Sequence, residues 1–209
     1  MKRLAIAVLV ACGAPAVHEP APPPVAIVDP SARTLLDAWA TAIGGRTQVA
    51  ALGALHLQGR YTKGGVTGTI DLWETPRGER REELQLSFLH ELRVFDGARG
   101  WLVDRNGEVR DLDGFELDDQ LAFAFRGSFA PLLADRVPGA VTVDAKGNLV
   151  LAAAGGHRPE TVTLGPDHRP ARIVRRDSEK QRVTTFDHWI DVLGVAMPFH
   201  VHEDNGDPN

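Results

Sequence analysis

From residue 55 to residue 203, turn-forming pairs recur along the chain and the residues between them alternate apolar with polar. The turns fall at intervals of about eight to twelve residues, which a helical chain does not produce and an antiparallel β-meander does. Leu55, Leu57, Gly59 and Tyr61 alternate with His56, Gln58, Arg60 and Thr62, and Lys63-Gly64-Gly65 then supplies a tight turn. A second strand covers 66–74 and is followed by the turn Pro76-Arg77-Gly78. Leu84, Leu86 and Phe88 continue the alternation, then Leu92 and Val94, up to Asp96-Gly97. Residues 100–104 and 108–112 flank Arg105-Asn106-Gly107, a hairpin signature. Beyond an interruption, 141–144 pairs with 149–153, 161–164 with 171–176, and 182–190 with 195–203. Strands patterned this way cover a core with one face and meet water with the other. The 21 glycines and 14 prolines agree with a turn-rich, β-rich chain.

Two segments carry helical spacing instead. Over 31–43, Leu35, Leu36, Trp39 and Ile43 form one apolar stripe, Ser31 is placed to cap it, and Gly44-Gly45 stops it. A second short helical piece fits 47–52. Between the two sets of strands, 115–134 places Leu117, Leu121, Ala124 and Phe125 on one stripe, with Phe123, Phe129, Leu132 and Leu133 outside it. Gly127-Ser128 and Pro131 predict a division into two short helices. A segment apolar nearly all round belongs in contact on more than one side, or plugging a cavity.

The first thirty residues read as an export signal and a tether. Lys2 and Arg3 form a positive start, 4–11 is an apolar run too short to span a bilayer, and the run ends in Leu9-Val10-Ala11-Cys12. That ending resembles a bacterial lipobox, which implies cleavage after residue 11, lipidation of Cys12 with diacylglycerol and a further acyl chain on the new N-terminus. Two or more chains hold a protein stably on a membrane where one is marginal. The competing reading is plain secretion with cleavage after Ala14-Pro15-Ala16. Residues 12–30 are rich in proline and predict an extended tether, leaving 31–209 as the folded domain. Gly13 is not the Asp associated with inner-membrane retention, so an outer-membrane location facing the periplasm is expected. The net charge is −5, becoming −7 once Lys2 and Arg3 are removed. That sign opposes a nucleic-acid partner or a domain drawn onto anionic lipid, and a soluble, monomeric domain is expected.

The chain carries no strong catalytic or metal-binding signature. There is no G-x-S-x-G, P-loop, H-E-x-x-H or C-x-x-C, and the one cysteine excludes a thiolate zinc site. Asp96-Gly97 and Asp113-Gly114 lack the middle residue of an aspartic-protease turn. His200, His202 and Asp204 share a strand face, with His188 close by, but they read more simply as a polar outer face than as a metal site. Arg80-Arg81 and Glu82-Glu83 read as a solvated strand face with cross-strand pairs. Arg172, Arg175, Arg176 and Arg182 form a basic cluster that suits either a solvated hairpin or a phosphate headgroup at a cavity rim. No enzyme activity, cofactor or metal is expected.

The order of elements, with the phrases Phe95-Asp96-Gly97 and Gly194-Val195-Ala196-Met197-Pro198, resembles the LolA/LolB-like superfamily of outer-membrane lipoprotein-sorting domains over about residues 32–203. The resemblance implies an α+β, mainly β fold: an incomplete antiparallel β-barrel wrapped around the N-terminal helix and an inserted helical lid. It also implies an apolar cavity that takes lipid or the acyl chains of another lipoprotein. On that reading Leu121, Phe125 and Phe129 are the lid residues of the insert, and Trp73 and Trp189, at strand ends, line the cavity mouth. The alternative is a non-catalytic scaffold, or the N-terminal module of a larger envelope protein beside a retropepsin-like protease domain.

Overall fold

The alternating segments build two antiparallel sheets in the computed structural model, which describes residues 26–177 and 180–204. Cys12, with the export signal and residues 13–25, lies outside the described residues. The first sheet is a six-stranded meander in chain order: β2 (Leu55–Lys63), β3 (Val66–Glu74), β4 (Arg80–Leu86), β5 (Leu89–Phe95), β6 (Gly100–Val103) and β7 (Val109–Asp111). The second has β8 (Gly139–Val143), β9 (Leu149–Ala153), β10 (Glu160–Leu164), β11 (Pro170–Asp177), β12 (Lys180–Val192) and β13 (Val195–Asp204), with the two-residue β1 (Ile27–Val28) added parallel to β8 at its edge. Among the described residues neither sheet closes into a barrel, and the fold is mainly β.

The packed domain starts before residue 31, the boundary expected from the proline content. Ala26 is buried and donates its N–H to the Ala134 carbonyl at 2.7 Å, and β1 pairs with β8. Asp29, not Ser31, is the cap: its carboxylate accepts from the Ser31 N–H at 2.8 Å over a 3-10 turn at Pro30–Ala32. That turn runs into α1 (Arg33–Ala42), which buries Leu36, Trp39 and Ala40, and α2 (Arg46–Ala51) follows. Gly44 ends α1 at φ 112°, and a Cβ there would stand 2.0 Å from the Gly194 carbonyl oxygen. The absent side chain lets the helix end close against the β12–β13 turn, where Ala196 N–H bonds the Ile43 carbonyl.

The insert forms one helix, α3 (Gly114–Gly127), and not two. Phe129 stops it by taking the left-handed region at φ 59°, the position glycine usually fills after a helix, and the buried Pro131 holds the chain in turns up to β8. Phe88, expected to continue a strand, sits half exposed in the turn between β4 and β5. The core joins Leu36, Trp39, Ile43 and Val49 of the N-terminal helices to Val141, Leu149, Leu151, Val162, Ile173 and Val195 of the second sheet, with Phe125 of α3. Register sets this: Leu149 lies opposite Val162, which lies opposite Ile173, so one apolar row crosses the sheet under α1. Among the described residues no helix is long and apolar enough to cross a membrane.

Candidate functional site

A cavity of about 150 Å³, partly open to solvent, lies between the two sheets. Trp39 and Ile43 of α1, Leu55 and Leu57 of β2, and Val162 and Ile173 of the second sheet supply apolar walls. Phe186 and Trp189 of β12, Met197 and Pro198 of β13, and Phe129 beyond α3 complete them. Phe186 and Trp189 are three apart and would face opposite sides of a regular strand. His188 between them has φ 50°, which turns the strand over and brings both rings to the cavity. Leu57 lines the cavity yet is 39% exposed, which marks the open side.

Of the residues picked from the sequence, Phe129 and Trp189 line this cavity, and Trp73, Leu121 and Phe125 do not. Trp73 pairs with His56 across β2 and β3, on the face away from Leu55 and Leu57, and the two rings stack there with centroids 3.6 Å apart. Phe125 is fully buried core, its ring filling the space where a Gly139 side chain would stand. Leu121 packs beside Gly155 and Gly156. The helix is therefore a wedge between sheets, and only its last two residues, Arg126 and Gly127, and the Phe129 turn after it reach the cavity.

Two charged side chains interrupt the apolar wall, Glu74 and Arg126, on either side of Gly127 at the end of α3. Glu74 is 7% exposed, and its Oε1 has no hydrogen-bond partner among the described residues. A Cβ on Gly127 would fall 2.0 Å from that oxygen, so this glycine makes the space the carboxyl occupies. Burial pushes the Glu74 carboxyl up from its ordinary value; Arg80 and Arg126 pull it down by less. Arg126 pairs with Glu160 and lies over the Phe123 ring at 5.0 Å.

Behind the cavity, α3 covers a buried charged row that the sequence reading placed in solvent. Arg175, 3% exposed, reaches Asp119 at 3.1 Å and Glu160 at 3.4 Å, and Arg182 reaches Asp119 at 2.9 Å. Arg80, Arg126 and Arg175 surround Phe123 at 4.5, 5.0 and 5.5 Å from its centroid. The basic cluster of β11 thus splits by strand alternation: Arg175 turns inward, Arg172 and Arg176 outward. The Arg80–Glu83 run splits likewise, with Arg80 and Glu82 largely buried and Arg81 and Glu83 only half-buried on the other face. The signal for Glu74 was present in the strand phase. Ile70, Leu72 and Glu74 occupy the same face of β3, so a carboxylate stands where the alternation calls for an apolar residue.

The histidines of β13 are occupied differently. His200 bonds Asp187 at 3.0 Å and stacks on His188, and among the described residues no three His, Cys, Asp or Glu side chains converge as metal ligands would. No family model and no curated protein matches the chain.

Proposed function

We propose that this protein is a non-catalytic lipoprotein of the bacterial cell envelope, lipid-anchored at Cys12 on the outer membrane and facing the periplasm, whose cavity takes an apolar chain from a lipid or another lipoprotein. The two open sheets, facing each other across α1 and α3, serve in this reading as an incomplete barrel. The observation that carries the proposal is the cavity itself, whose walls are aromatic and aliphatic apart from Glu74 and Arg126. An apolar cavity of ~150 Å³ stays dry and accepts a benzene-sized guest. Drug-sized ligand sites are larger, about 300 Å³ and above. This one at 150 Å³ therefore takes the end of an acyl chain, with the remainder leaving past Leu57.

The test is native mass spectrometry of the purified protein together with titration of a fluorescent fatty acid. Co-purifying lipid or saturable binding supports the carrier reading. The small volume favours a second one, a scaffold or N-terminal module, and a folded protein that binds no acyl probe selects it.

A further inference from the structure

We infer that the outer edge of β2 takes an extended peptide from a partner protein as an added strand, one whose residues alternate apolar with acidic. The inference concerns the sheet edge and stands apart from what fills the cavity. Two sheets that do not close leave four edges, β1 and β13 in one and β2 and β7 in the other. Three of them are poor templates. β1 has two residues and β7 three. β13 has ten, but Ala196 has given its N–H to the Ile43 carbonyl and Pro198 has no N–H to give. β2 runs for nine residues in unbroken register with β3, holds no proline, and is exposed from His56 to Arg60. A long edge of this kind is a ready template for another strand.

Register shows which groups the edge offers. The β2–β3 turn has two residues, Gly64 and Gly65, with φ 56° and 76°, so Lys63 and Val66 form the first hydrogen-bonded pair. Counting back along the ladder, Thr62, Arg60, Gln58 and His56 fall at non-hydrogen-bonded positions and turn their N–H and C=O groups away from β3. Among the described residues no other backbone bonds to those groups. Side chains set the partner's pattern. Leu55 and Leu57, on the inner face, line the open side of the cavity, so residues added beside them are apolar. β2 carries no carboxylate. His56 and Gln58 already bond Asp71, at 3.1 and 2.7 Å, whereas Arg60 and Lys63 are exposed and belong to no ion pair among the described residues. A second copy of β2 would bring the same cations to the edge, and a strand with carboxylates on its outer face complements them.

The probes are two synthetic heptapeptides, one alternating glutamate with valine and the other lysine with valine. They are titrated into the isotope-labelled full chain carrying Cys12→Ser and followed by calorimetry and by amide resonances. The glutamate peptide should bind saturably and shift the His56, Gln58, Arg60 and Thr62 amides together. The lysine peptide should bind about fivefold more weakly, the scale of an exposed charge pair, and Arg60→Glu should reverse that order. Gln58→Pro removes one outward N–H and leaves the bonds to β3 in place, so it should weaken the glutamate peptide about tenfold. Arg60→Glu alters only an exposed side chain and keeps the test open if Gln58→Pro does not fold. No binding, equal binding of the two peptides, or binding that leaves those four amides unmoved overturns the inference. A dimer in sedimentation that Gln58→Pro abolishes also overturns it, because the edge then belongs to a second copy of the chain.

Discussion

Ala196 lines the cavity, and its backbone is pinned there by the 2.9 Å bond from its N–H to the Ile43 carbonyl. Side-chain atoms added at 196 therefore enter the void before they move the strand. Ala196→Leu adds three carbons, worth up to ~2.4 kcal/mol if all become buried. Fitting a branched side chain among Trp39, Ile43 and Met197 returns ~1 kcal/mol or more of that as strain. The net expectation is a gain of about 1 kcal/mol, or roughly 2 to 4 °C in Tm for a domain of this size. Urea denaturation with an unchanged m-value measures it, and acyl-probe titration on the same sample should show binding weakened at least tenfold. A loss of ~2 kcal/mol or more at constant m would mean that the void is not there to be filled. A stabilised variant with undiminished binding would place the ligand elsewhere.

Four further outcomes follow from the same packing. The Glu74 carboxyl is raised above 4.5 in the fold, so its favourable contribution is complete below the unfolded value and is lost as pH climbs through the folded one. Glu74→Gln should accordingly gain on wild type as pH rises from about 4.5, read from urea midpoints across pH; a flat difference would refute the burial argument. Gly44→Ala meets the Gly194 carbonyl oxygen and should lose about 4 kcal/mol or more, whereas Gly45→Ala, with open space around it, should lose about 1 to 3 kcal/mol from its φ of 94° and ψ of 154°, a backbone region that only glycine adopts readily. Arg175→Met leaves Glu160 and Asp119 short of a partner and should cost about 3 to 5 kcal/mol, while Arg176→Met, on the outer face, should stay within about 0.5 kcal/mol. Cys12→Ser should abolish palmitate labelling and move the protein from the detergent phase to the aqueous one; equal partitioning of both forms would put the anchor elsewhere.

The element order was legible in the residues because its causes act over short distances. Lys63-Gly64-Gly65 turns the chain wherever it lies, and Leu55 to Tyr61 can only alternate. The six strands of the first sheet and the six after α3 follow from such local rules, whereas β1 does not. So does the apolar stripe of α1. Alternation also determines that Arg175 and Arg176 face opposite ways, and that Ile70, Leu72 and Glu74 face the same way. Which of the two faces is interior is not a local property. It is decided by what lies across the gap, here α3 and the opposite sheet, and that arrangement buried Glu74, Glu160 and Arg175 while leaving Trp73 in solvent. Tertiary packing likewise held Phe129 in a left-handed conformation that its own propensity disfavours, and turned β12 over at His188. Each of these strained positions sits beside the cavity or lines it, because closing two sheets around helices requires the chain to leave its preferred geometry where they meet.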